Sequence, residues 1–538
     1  MSDNGKQAQA GNFVLVLVAM VVGVLTGLMF SSQSRKAEAG TLQGKVGQVM
    51  EMLETQYVDP VDADSVGGRL LQAMLSELDP HSIYMSAQAT EAANESMRGR
   101  FDGVGIVLHR EGDTTFVGQV MPDGPSANIG IMPGDKILAV DGVPVTGMPA
   151  DSVVSRLRGP RRSMVDVVVE RLVKVTRVDT LRFAIRRGVV PLHTVDHSTM
   201  IDDKTGYISI SSFAETTYDE FRSALWPLME SGMRQLVLDL RGNGGGSLQS
   251  AVGIAGELLP KGSLIVYTEG VHSRRHDVRT SGDGMFTDGR VVVLVDENSA
   301  SASEVVSGAL QDNDRATIVG RRTFGKGLVQ TELSLGDGSA VLLTTARYYT
   351  PSGRCIQRSY KGGIEEYYRD YYNQLMDEAY ADSMTVAILD STPYYTVGGR
   401  TVYGGGGIAP DVPLGYRKDV SFVYYNALVS GGLLNNVAFG HVRRHAAELL
   451  ARYPDADAFV KGYKASEALV NELVERGEAA GVKRNDASLR VQRGLIETML
   501  KANIGMALYG NAAYRNTYMG SDDDLQRTLS LLKQKEKV

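Results

Sequence analysis

A serine-rich segment, residues 298–304, is the first part of the chain that could do chemistry. It follows an unbroken apolar run and precedes a helix-like stretch, so one of its serines would stand at a helix N-terminus where a sheet strand ends. Open α/β sheets bind their ligands at such strand ends, and a serine there becomes a nucleophile when a base removes its proton. Ser301-x-x-Glu304 is also a capping box, so helix initiation alone would explain the pattern.

Lys326 is the candidate base. No histidine stands near these apolar runs, and the chain contains no Gly-x-Ser-x-Gly motif. A lysine accepts a proton only when it is neutral, so its pKa must fall from about 10.4 to about 7, a change that burial can produce. Lys326 lies between apolar runs, and Gln330, four residues further on, is placed to hold its amine.

A glycine-rich run, residues 241–246, follows the apolar run LVLDL and precedes another helix-like stretch. A strand, a glycine-rich loop and a helix in this order expose backbone N–H groups that bind an anion or a developing oxyanion. A tight turn is the alternative explanation, although it needs fewer glycines. The dinucleotide fingerprint fails, because its third glycine would fall on Ser247.

The elements that must position these segments alternate between strands and helices from about residue 200 to 360. LVLDL (236–240) and VVVLV (291–295) are typical of strands buried in α/β sheets. Residues 40–100 and the chain after about 420 show helical periodicity. Residues 101–187 contain short β-branched runs divided by turns. The sequence therefore predicts a multidomain α+β chain.

Composition excludes several classes of protein. A length of 538 residues predicts three or four domains. A net charge of −7 offers nucleic acid no basic footprint. Cys355 is the single cysteine, so internal disulfides and cysteine-based zinc clusters are excluded. We expect no metal and no cofactor, because the His-x-x-x-His pairs lack the glutamate of the zinc-protease motif. The pairs are His193/His197, His272/His276 and His441/His445.

A near match to the phosphate-binding Walker A loop covers residues 320–326. Its next residue is Gly327, where the motif needs the serine or threonine that binds magnesium. The following residues, 328–335, have the pattern of a strand, whereas the motif should open a helix. The sequence therefore does not predict nucleotide binding.

Three motifs stand in a fixed order along the chain. They are Asp239-Leu-Arg-Gly-Asn-Gly-Gly-Gly, Ser-Ala-Ser301-Ala-Ser-Glu and Phe-Gly-Lys326-Gly-x-Val-Gln330. Together they resemble the carboxyl-terminal processing peptidases, or tail-specific proteases, which are Ser–Lys endopeptidases with a crotonase-like (ClpP/crotonase) α/β core. Further markers of this family are Leu78-Asp-Pro-His-Ser82, Tyr348-Tyr-Thr-Pro-Ser-Gly353 and Gly407-Ile-x-Pro-Asp411, which we interpret as structural.

This resemblance assigns roles to individual residues. The 25-residue gap between Ser301 and Lys326 and the 4-residue gap to Gln330 are the family's spacing, which selects Ser301 over Ser299 and Ser303. The resemblance implies that Ser301 attacks, that Lys326 is base and then acid, and that Gln330 orients the lysine. The backbone N–H groups that form the oxyanion hole are implied to be those of Gly246 (or Gly245) and Ala302.

Residues 101–187 are similar to the family's PDZ domain. The resemblance implies peptide binding by Gly103, Val104, Gly105 and Ile106, the loop that captures a C-terminal carboxylate while the peptide adds a strand to the sheet edge. Ile106 would line the pocket for the last side chain. Arg158 either couples peptide occupancy to protease activity or is an ordinary solvated arginine.

The predicted organisation follows from this resemblance, which spans about residues 40–415. It consists of an anchor or signal (1–39), an N-terminal helical region (40–100), an inserted PDZ domain (101–187), a protease core with a Tyr-rich insert at about 361–400 (188–415) and a C-terminal helical extension (416–538). We expect a serine endopeptidase that processes or degrades exported proteins with exposed C-terminal tails. We also expect a homo-oligomer formed through the N- and C-terminal helical regions.

Two alternative functions share parts of the pattern. A non-catalytic PDZ adaptor would bind tails but would not need Ser301, Lys326 and Gln330 together. A crotonase-like acyl-CoA enzyme would share the core and the oxyanion loop, but it would need neither the PDZ domain nor the Ser–Lys pair.

The apolar run at residues 13–30 predicts a membrane anchor. Its eighteen uncharged residues just reach across a hydrocarbon core of about 30 Å, and the run is long for a cleaved signal. Ala37-Glu38-Ala39 is nevertheless compatible with cleavage. We expect an uncleaved single span that places a bacterial cell-envelope protein on the periplasmic side of the inner membrane.

Overall fold

The computed structural model describes residues 41–174, 177–380, 391–415 and 422–534. Separate hydrophobic clusters lie in the β-rich region that follows the first helices, in an α/β region and in a C-terminal set of helices. The multidomain α+β prediction is thereby confirmed.

The first described region consists of helices that begin at side-chain caps. The side chains of Thr41, Asp62 and Ser86 each accept a hydrogen bond from the backbone N–H three residues later. The elements are α1 (Leu42–Gln56), α2 (Ala63–Ser76), β1 (Ile83–Met85) and α3 (Ala87–Arg98). Gly99, with φ of +67°, ends α3 and turns the chain into the next region.

A β-rich region follows, built on the sheet order β3-β4-β5-β7-β8 with β6 on β5. Its core is a cluster of valines, isoleucines and leucines. The elements are β2 (Arg100–Gly103), β3 (Ile106–Glu111), β4 (Thr114–Val120), β5 (Lys136–Val140), β6 (Val143–Pro144), α4 (Ala150–Leu157), β7 (Met164–Lys174), β8 (Arg177–Arg186) and β9 (Gly188–Pro191). The chain enters and leaves the region through the antiparallel pair β2 and β9.

The α/β region contains two large sheets. The central sheet has the order β10-β11-β12-β15-β16-β21, parallel except for β10, and the second has the order β1-β18-β13-β14 with β17 on β18. The elements are β10 (Val195–Met200), β11 (Thr205–Ile210), α5 (Thr217–Glu230), β12 (Gln235–Asp239), α6 (Leu248–Leu258), β13 (Leu264–Gly270), β14 (Ser273–Arg279), β15 (Arg290–Val295), α7 (Ala302–Asp312), β16 (Ala316–Gly320), β17 (Leu328–Ser334), β18 (Ala340–Tyr349), α8 (Gly363–Tyr380), β19 (Pro393–Tyr395), β20 (Thr401–Tyr403) and β21 (Val412–Pro413).

Three adjacent parallel strands of the central sheet position the catalytic candidates. Asp239 of β12 is in register with Leu294 of β15, which is in register with Val319 of β16, so the three strands end at the same edge. The loops that follow them carry, in turn, the glycine-rich run, the serine-rich segment and the lysine. The predicted strands over 236–240 and 291–295 are confirmed as β12 and β15.

The C-terminal helices pack on one another and against the β-rich region. The ring of Phe439 in α10 lies 4.0 Å from that of His109 in β3, and Arg443 Nη1 lies 3.2 Å from Glu111 Oε2. The helices are α9 (Val423–Ser430), α10 (Leu433–Arg452), α11 (Ala456–Gly462), α12 (Glu467–Ala479), α13 (Asp486–Tyr509), α14 (Asn511–Tyr518) and α15 (Asp523–Gln534). Oligomerisation through the terminal helical regions stays a prediction.

The last helix belongs to the α/β core. Leu525, Leu529 and Leu532 of α15 are buried against the outer face of the central sheet, in one cluster with Val237 and Val292. The inner face of the same sheet packs on α6, α7 and the second sheet. The central sheet is therefore covered on both faces, as its continuous apolar strands require.

The membrane-anchor prediction must be corrected. Within the described ranges, no helix is long and apolar enough to cross a bilayer. The longest of them, α13, carries five charged side chains, at positions 486, 490, 493, 497 and 501. The predicted span itself, residues 13–30, lies outside the described residues. The single-span anchor and the periplasmic inner-membrane location that depended on it are therefore withdrawn.

Replacing Leu525 tests whether α15 is part of this core. Leu525→Ala should lower the free energy of unfolding by about 2–5 kcal/mol, because it leaves a cavity under the central sheet. Trp226 in α5 is the single tryptophan, so its fluorescence in a denaturant titration reports on the α/β region. Ser530→Ala, on the exposed side of α15, is the matched control. Equal unfolding midpoints for the two variants would contradict the packing described here.

Candidate active site

A cavity of about 410 Å³ opens where the three parallel strands end. Its walls include five residues that the sequence predicted for catalysis: Ser301, Ala302, Lys326, Gln330 and Gly246. These residues come from the loops after β12, β15 and β16, from the first position of α7 and from strand β17. The fold thus brings together residues separated by up to 84 positions.

Ser301 occupies the position before the first residue of α7 in a strained backbone conformation. Its φ of +54° and ψ of −112° lie in a region that non-glycine residues rarely adopt. The backbone N–H of Ser301 donates to Glu304 Oε2 at 2.9 Å, which helps to hold this conformation. The strain points the serine at the cavity from a helix N-terminus, where the helix dipole favours negative charge.

The glycine-rich run presents a free backbone N–H to the cavity. The N–H of Gly245 donates to Asn243 Oδ1 at 2.9 Å, and its carbonyl accepts from the N–H of Phe213. Gly246 has φ of +135°, and a Cβ there would lie 2.1 Å from the carbonyl oxygen of Phe213, so only glycine fits. The N–H groups of Gly246 and Ala302 donate to no acceptor among the described residues, which leaves both available to a substrate oxygen.

Lys326 is held at the other side of the cavity by Gln330. Its Nζ donates to Gln330 Oε1 at 2.7 Å, and Gln330 Nε2 donates to the carbonyl oxygen of His81. Burial lowers the pKa of Lys326, while the negative charges of Asp79 and Glu304 oppose that fall. Among the described residues no hydrogen bond joins Lys326 Nζ to Ser301 Oγ. In this conformation the lysine amine is hydrogen-bonded to Gln330 instead.

Glu304 joins the loop that carries Ser301 to the loop that carries Lys326. This fully buried carboxylate accepts hydrogen bonds from the N–H groups of Ser301 (2.9 Å), Gly325 (2.9 Å) and Lys326 (2.8 Å) and from the Thr323 hydroxyl (2.6 Å). Burial raises its pKa to about 7, and these donors oppose the rise. The sequence identified Glu304 only as a capping residue, and its glutamate type within the capping box was the one available signal.

Tyr348 bridges the same two residues from the carbonyl side. Its buried hydroxyl donates to the carbonyl oxygens of Ser301 (3.1 Å) and Lys326. Burial raises the pKa of Tyr348 well above its usual range, so the phenol keeps its proton. Sequence reasoning treated the Tyr348 motif as a structural marker and missed this contact.

A turn before β1 supports the lysine's partner. The Asp79 carboxylate accepts from the N–H groups of His81 and Ser82, both at 2.8 Å, and from the Ser82 hydroxyl. Ser82 Oγ in turn accepts from the N–H of Thr344 in β18. This arrangement fixes the His81 carbonyl that binds Gln330. Burial and the nearby Lys326 charge lower the pKa of His81 to about 4, so its ring is neutral.

The predicted carboxylate-binding loop lies beside an edge strand. Gly105 has φ of +74°, and a Cβ there would lie 2.8 Å from Gly124 Cα, so the loop needs glycine at this position. Val104 is buried in the core of the β-rich region, whereas Ile106 begins the edge strand β3. Helix α4 packs beside β3. The loop, the edge strand β3 and helix α4 are therefore neighbours on one side of the β-rich region.

Arg158 connects the β-rich region to helix α3. Its Nη1 lies 2.6 Å from Glu95 Oε2, and its guanidinium lies 4.8 Å from the centre of the Phe101 ring. Met97 of the same helix lines the catalytic cavity. Arg158 thus contacts helix α3, which reaches the cavity. The sequence had not indicated this contact.

Comparison with known families matches three parts of the chain. Residues 204–368 match Peptidase family S41, and residues 95–170 match the PDZ domain. Residues 424–510 match DUF8443, a family of unknown function. The α/β region and the β-rich region each fall largely within one of the first two matches.

Two relatives and one solved structure represent the similar proteins. The carboxy-terminal-processing protease of Bartonella bacilliformis is 36% identical over 321 residues, which are 58% of this chain and 72% of that protein. Carboxy-terminal processing protease CtpA of Bacillus subtilis is 29% identical over 352 residues, 64% of this chain and 74% of that protein. The structure of a photosystem II D1 C-terminal processing protease is 28% identical, covers 71% of this chain and 88% of its own, and has a TM-score of 0.35. The chain therefore belongs to the S41 family of carboxy-terminal processing peptidases and is a serine-type enzyme with a PDZ domain.

Proposed function

We propose that this peptidase cleaves protein substrates with Ser301 as its nucleophile and Lys326 as its general base. The observation that carries the proposal is the meeting of Ser301, Lys326 and two unoccupied N–H donors in one cavity. A nucleophile, a base and an oxyanion site within one cavity are the parts that acyl transfer needs.

Acylation begins with a neutral lysine. Ser301 Oγ attacks the carbonyl carbon of the scissile peptide bond while its proton passes to Lys326 Nζ. The negative charge that develops on the carbonyl oxygen is stabilised by the N–H groups of Gly246 and Ala302, with Gly245 shaping the loop. The C–N bond then breaks, Lys326 gives its proton to the departing amine, and an ester on Ser301 remains.

Deacylation repeats the steps with water. Lys326 removes a proton from a water molecule as the water oxygen attacks the ester carbonyl. The second oxyanion occupies the same two N–H donors. When the C–O bond to Ser301 breaks, Lys326 returns the proton to Ser301 Oγ, and both residues recover their starting states. Gln330 keeps the amine in reach by accepting one of its hydrogen bonds throughout.

We further propose that the β-rich region recognises the C-terminal tail of the substrate. The peptide would add a strand to β3, with its carboxylate on the backbone N–H groups of residues 103–106 and its last side chain beside Ile106. Arg158 and its partner Glu95 would carry the effect of peptide binding to α3, whose Met97 lines the cavity. Substrates would then be proteins with an exposed, unstructured tail.

The domain organisation is proposed on the same footing. A crotonase-like core over residues 188–415 is supported by successive parallel strands whose following loops line the cavity. The β2–β9 pair supports an inserted PDZ domain over residues 101–187. Membership of a peptidase family favours this enzyme over a non-catalytic PDZ adaptor.

Removing either member of the dyad should abolish cleavage without abolishing tail binding. Ser301→Ala and Lys326→Ala should each reduce kcat by at least about 10³-fold on an unstructured protein with an apolar C-terminus. A fluorescent peptide with the same C-terminus should bind both variants as tightly as it binds the parent. Lys361→Ala, an exposed lysine, serves as the control. Cleavage by Ser301→Ala at the parental rate would show that another residue attacks.

The activity should rise with pH. Lys326 acts only when neutral, and burial lowers its pKa, so the neutral amine is already populated below the range of a free lysine. The acid limb of kcat/KM should therefore titrate below about 10.4. A profile measured between pH 5 and pH 10.5 checks this. A limb that titrates at or above 10.4 would exclude a buried lysine base.

Glu304→Gln should lower kcat by about 10- to 100-fold. The glutamine amide would place its own N–H groups opposite backbone N–H donors that now donate to the carboxylate. The pKa of Glu304 is raised to about 7, so protonation of the parent below this pH should mimic the loss. If the activity of the parent changes with pH near pH 7, the Glu304→Gln variant should not show that change. Glu332→Gln on the exposed part of β17 is the matched control. Parental kcat in Glu304→Gln would refute the bridging role.

A further inference from the structure

The first turn of the last helix, α15, and the residue before it reach two arginines, Arg241 just beyond the end of β12 and Arg321 directly after β16. Asp522, the residue before α15, holds Arg241 with two parallel hydrogen bonds, Nη1 to Oδ1 at 2.9 Å and Nη2 to Oδ2 at 2.6 Å. Asp524, in the first turn, accepts from Arg321 Nη1 at 2.8 Å. One helix end therefore contacts the loops that follow two different strands.

Arg241 is the first residue of the glycine-rich run, and its guanidinium lies between two carboxylates. On the side opposite Asp522 it binds Asp239 through Nε and Nη2. Both carboxylates are buried, and Asp239 also accepts from the Tyr207 hydroxyl at 2.7 Å. Burial would raise the pKa of Asp239, but the Arg241 charge holds it below its usual value. Arg241 thus connects the end of β12, the glycine-rich run and α15 through its hydrogen bonds to Asp239 and Asp522.

Arg321 likewise connects the loop that carries Lys326 to α15. It is the residue directly after β16, five positions before Lys326. Its Nε donates to Glu297 Oε2 at 2.8 Å, and Glu297 lies in the loop that leads from β15 to Ser301. The Arg321–Asp524 contact therefore connects α15 to the loops of both dyad members.

We propose that Asp522 and Asp524 are positioning residues that fix the oxyanion loop and the lysine loop relative to each other. The inference rests on the proposed function, because it concerns the geometry of the Ser301–Lys326 site. The matched peptidase segment ends at residue 368 and the DUF8443 segment at 510, so both aspartates lie beyond them. The active site is then completed from a part of the chain that neither match covers.

The physical reason is the flexibility of glycine. The run from residue 242 to 246 contains four glycines, so its conformation depends on contacts with its surroundings, such as the hydrogen bond from the Phe213 N–H to the Gly245 carbonyl. Oxyanion donors must be held within about 0.5 Å of their productive position, and displacement by about 1 Å lowers the rate about 10²-fold. Paired arginine–carboxylate hydrogen bonds fix orientation as well as distance. Asp522 holds Arg241 through such a pair of hydrogen bonds, and Asp524 adds a single hydrogen bond from Arg321, so one helix end restrains both loops.

The packing of the α15 leucines allows the positioning role of the aspartates to be distinguished from a contribution to folding stability. They pack on the outer face of the central sheet and hold the helix whether or not its first turn is charged. Replacing an aspartate by asparagine keeps the side-chain volume and the leucine contacts while it removes the charge. Such a variant should remain folded with a displaced loop, so the chemical step should suffer more than substrate binding.

The test compares Asp522→Asn and Asp524→Asn with Asp523→Asn as the matched control. Asp523 has the same charge in the same turn and forms an ion pair with Arg527, 3.7 Å away. We expect kcat on a quenched peptide with an apolar C-terminus to fall about tenfold in Asp522→Asn. A smaller fall is expected in Asp524→Asn, whose side chain is more exposed. KM should stay within twofold, and Asp523→Asn should match the parent.

Two further measurements separate the possible failures. Asp522→Glu, which keeps the charge, should recover part of the lost kcat, whereas a merely structural defect would follow the unfolding midpoint. If both asparagine variants keep parental kcat, or if kcat falls only in proportion to the folded fraction, the positioning role is wrong. Failure of the proposed function is recognised separately, because then Ser301→Ala would cleave like the parent.

Discussion

One buried carboxylate determines the geometry on which the site depends. Glu304 binds the backbone of Ser301 and the backbone of Lys326 at the same time, and Tyr348 binds the carbonyl groups of the same two residues. The proposed dyad is therefore fixed through its main chain, and Gln330 holds the Lys326 side chain. A carboxylate in a dry interior is expensive unless it is fully hydrogen-bonded, and the four donors around Glu304 meet that condition.

The site is assembled from regions that are far apart in the sequence. The central sheet supplies the loops, the turn at His81 holds Gln330, and α15 holds Arg241 and Arg321. The β-rich region touches both the C-terminal helices and α3, which reaches the cavity. The candidate site therefore depends on contacts between segments that are distant in the sequence.

Local pattern was enough to predict the strands over 236–240 and 291–295, since each is a continuous apolar run. The resemblance to the family, through its spacing, identified Ser301, Lys326 and Gln330 as candidates, whereas chemistry alone left Ser299 and Ser303 open. The bridge from Glu304 to Lys326 spans 22 positions and that from Tyr348 to Ser301 spans 47, so both depend on the order of strands in space. The pairing of Arg241 with Asp522 spans 281 positions and has no local signature. The anchor was predicted from a segment outside the described residues, and no described helix supplies a span.

Covalent labelling tests the central claim most directly. A fluorophosphonate reagent reacts with a serine that a neighbouring base activates. Mass spectrometry of the labelled protein should find one adduct, on Ser301, and Lys326→Ala should form it at least about 10²-fold more slowly. An adduct on Ser299 or Ser303, or labelling of Ser301 at an unchanged rate in Lys326→Ala, would contradict a Ser301–Lys326 dyad.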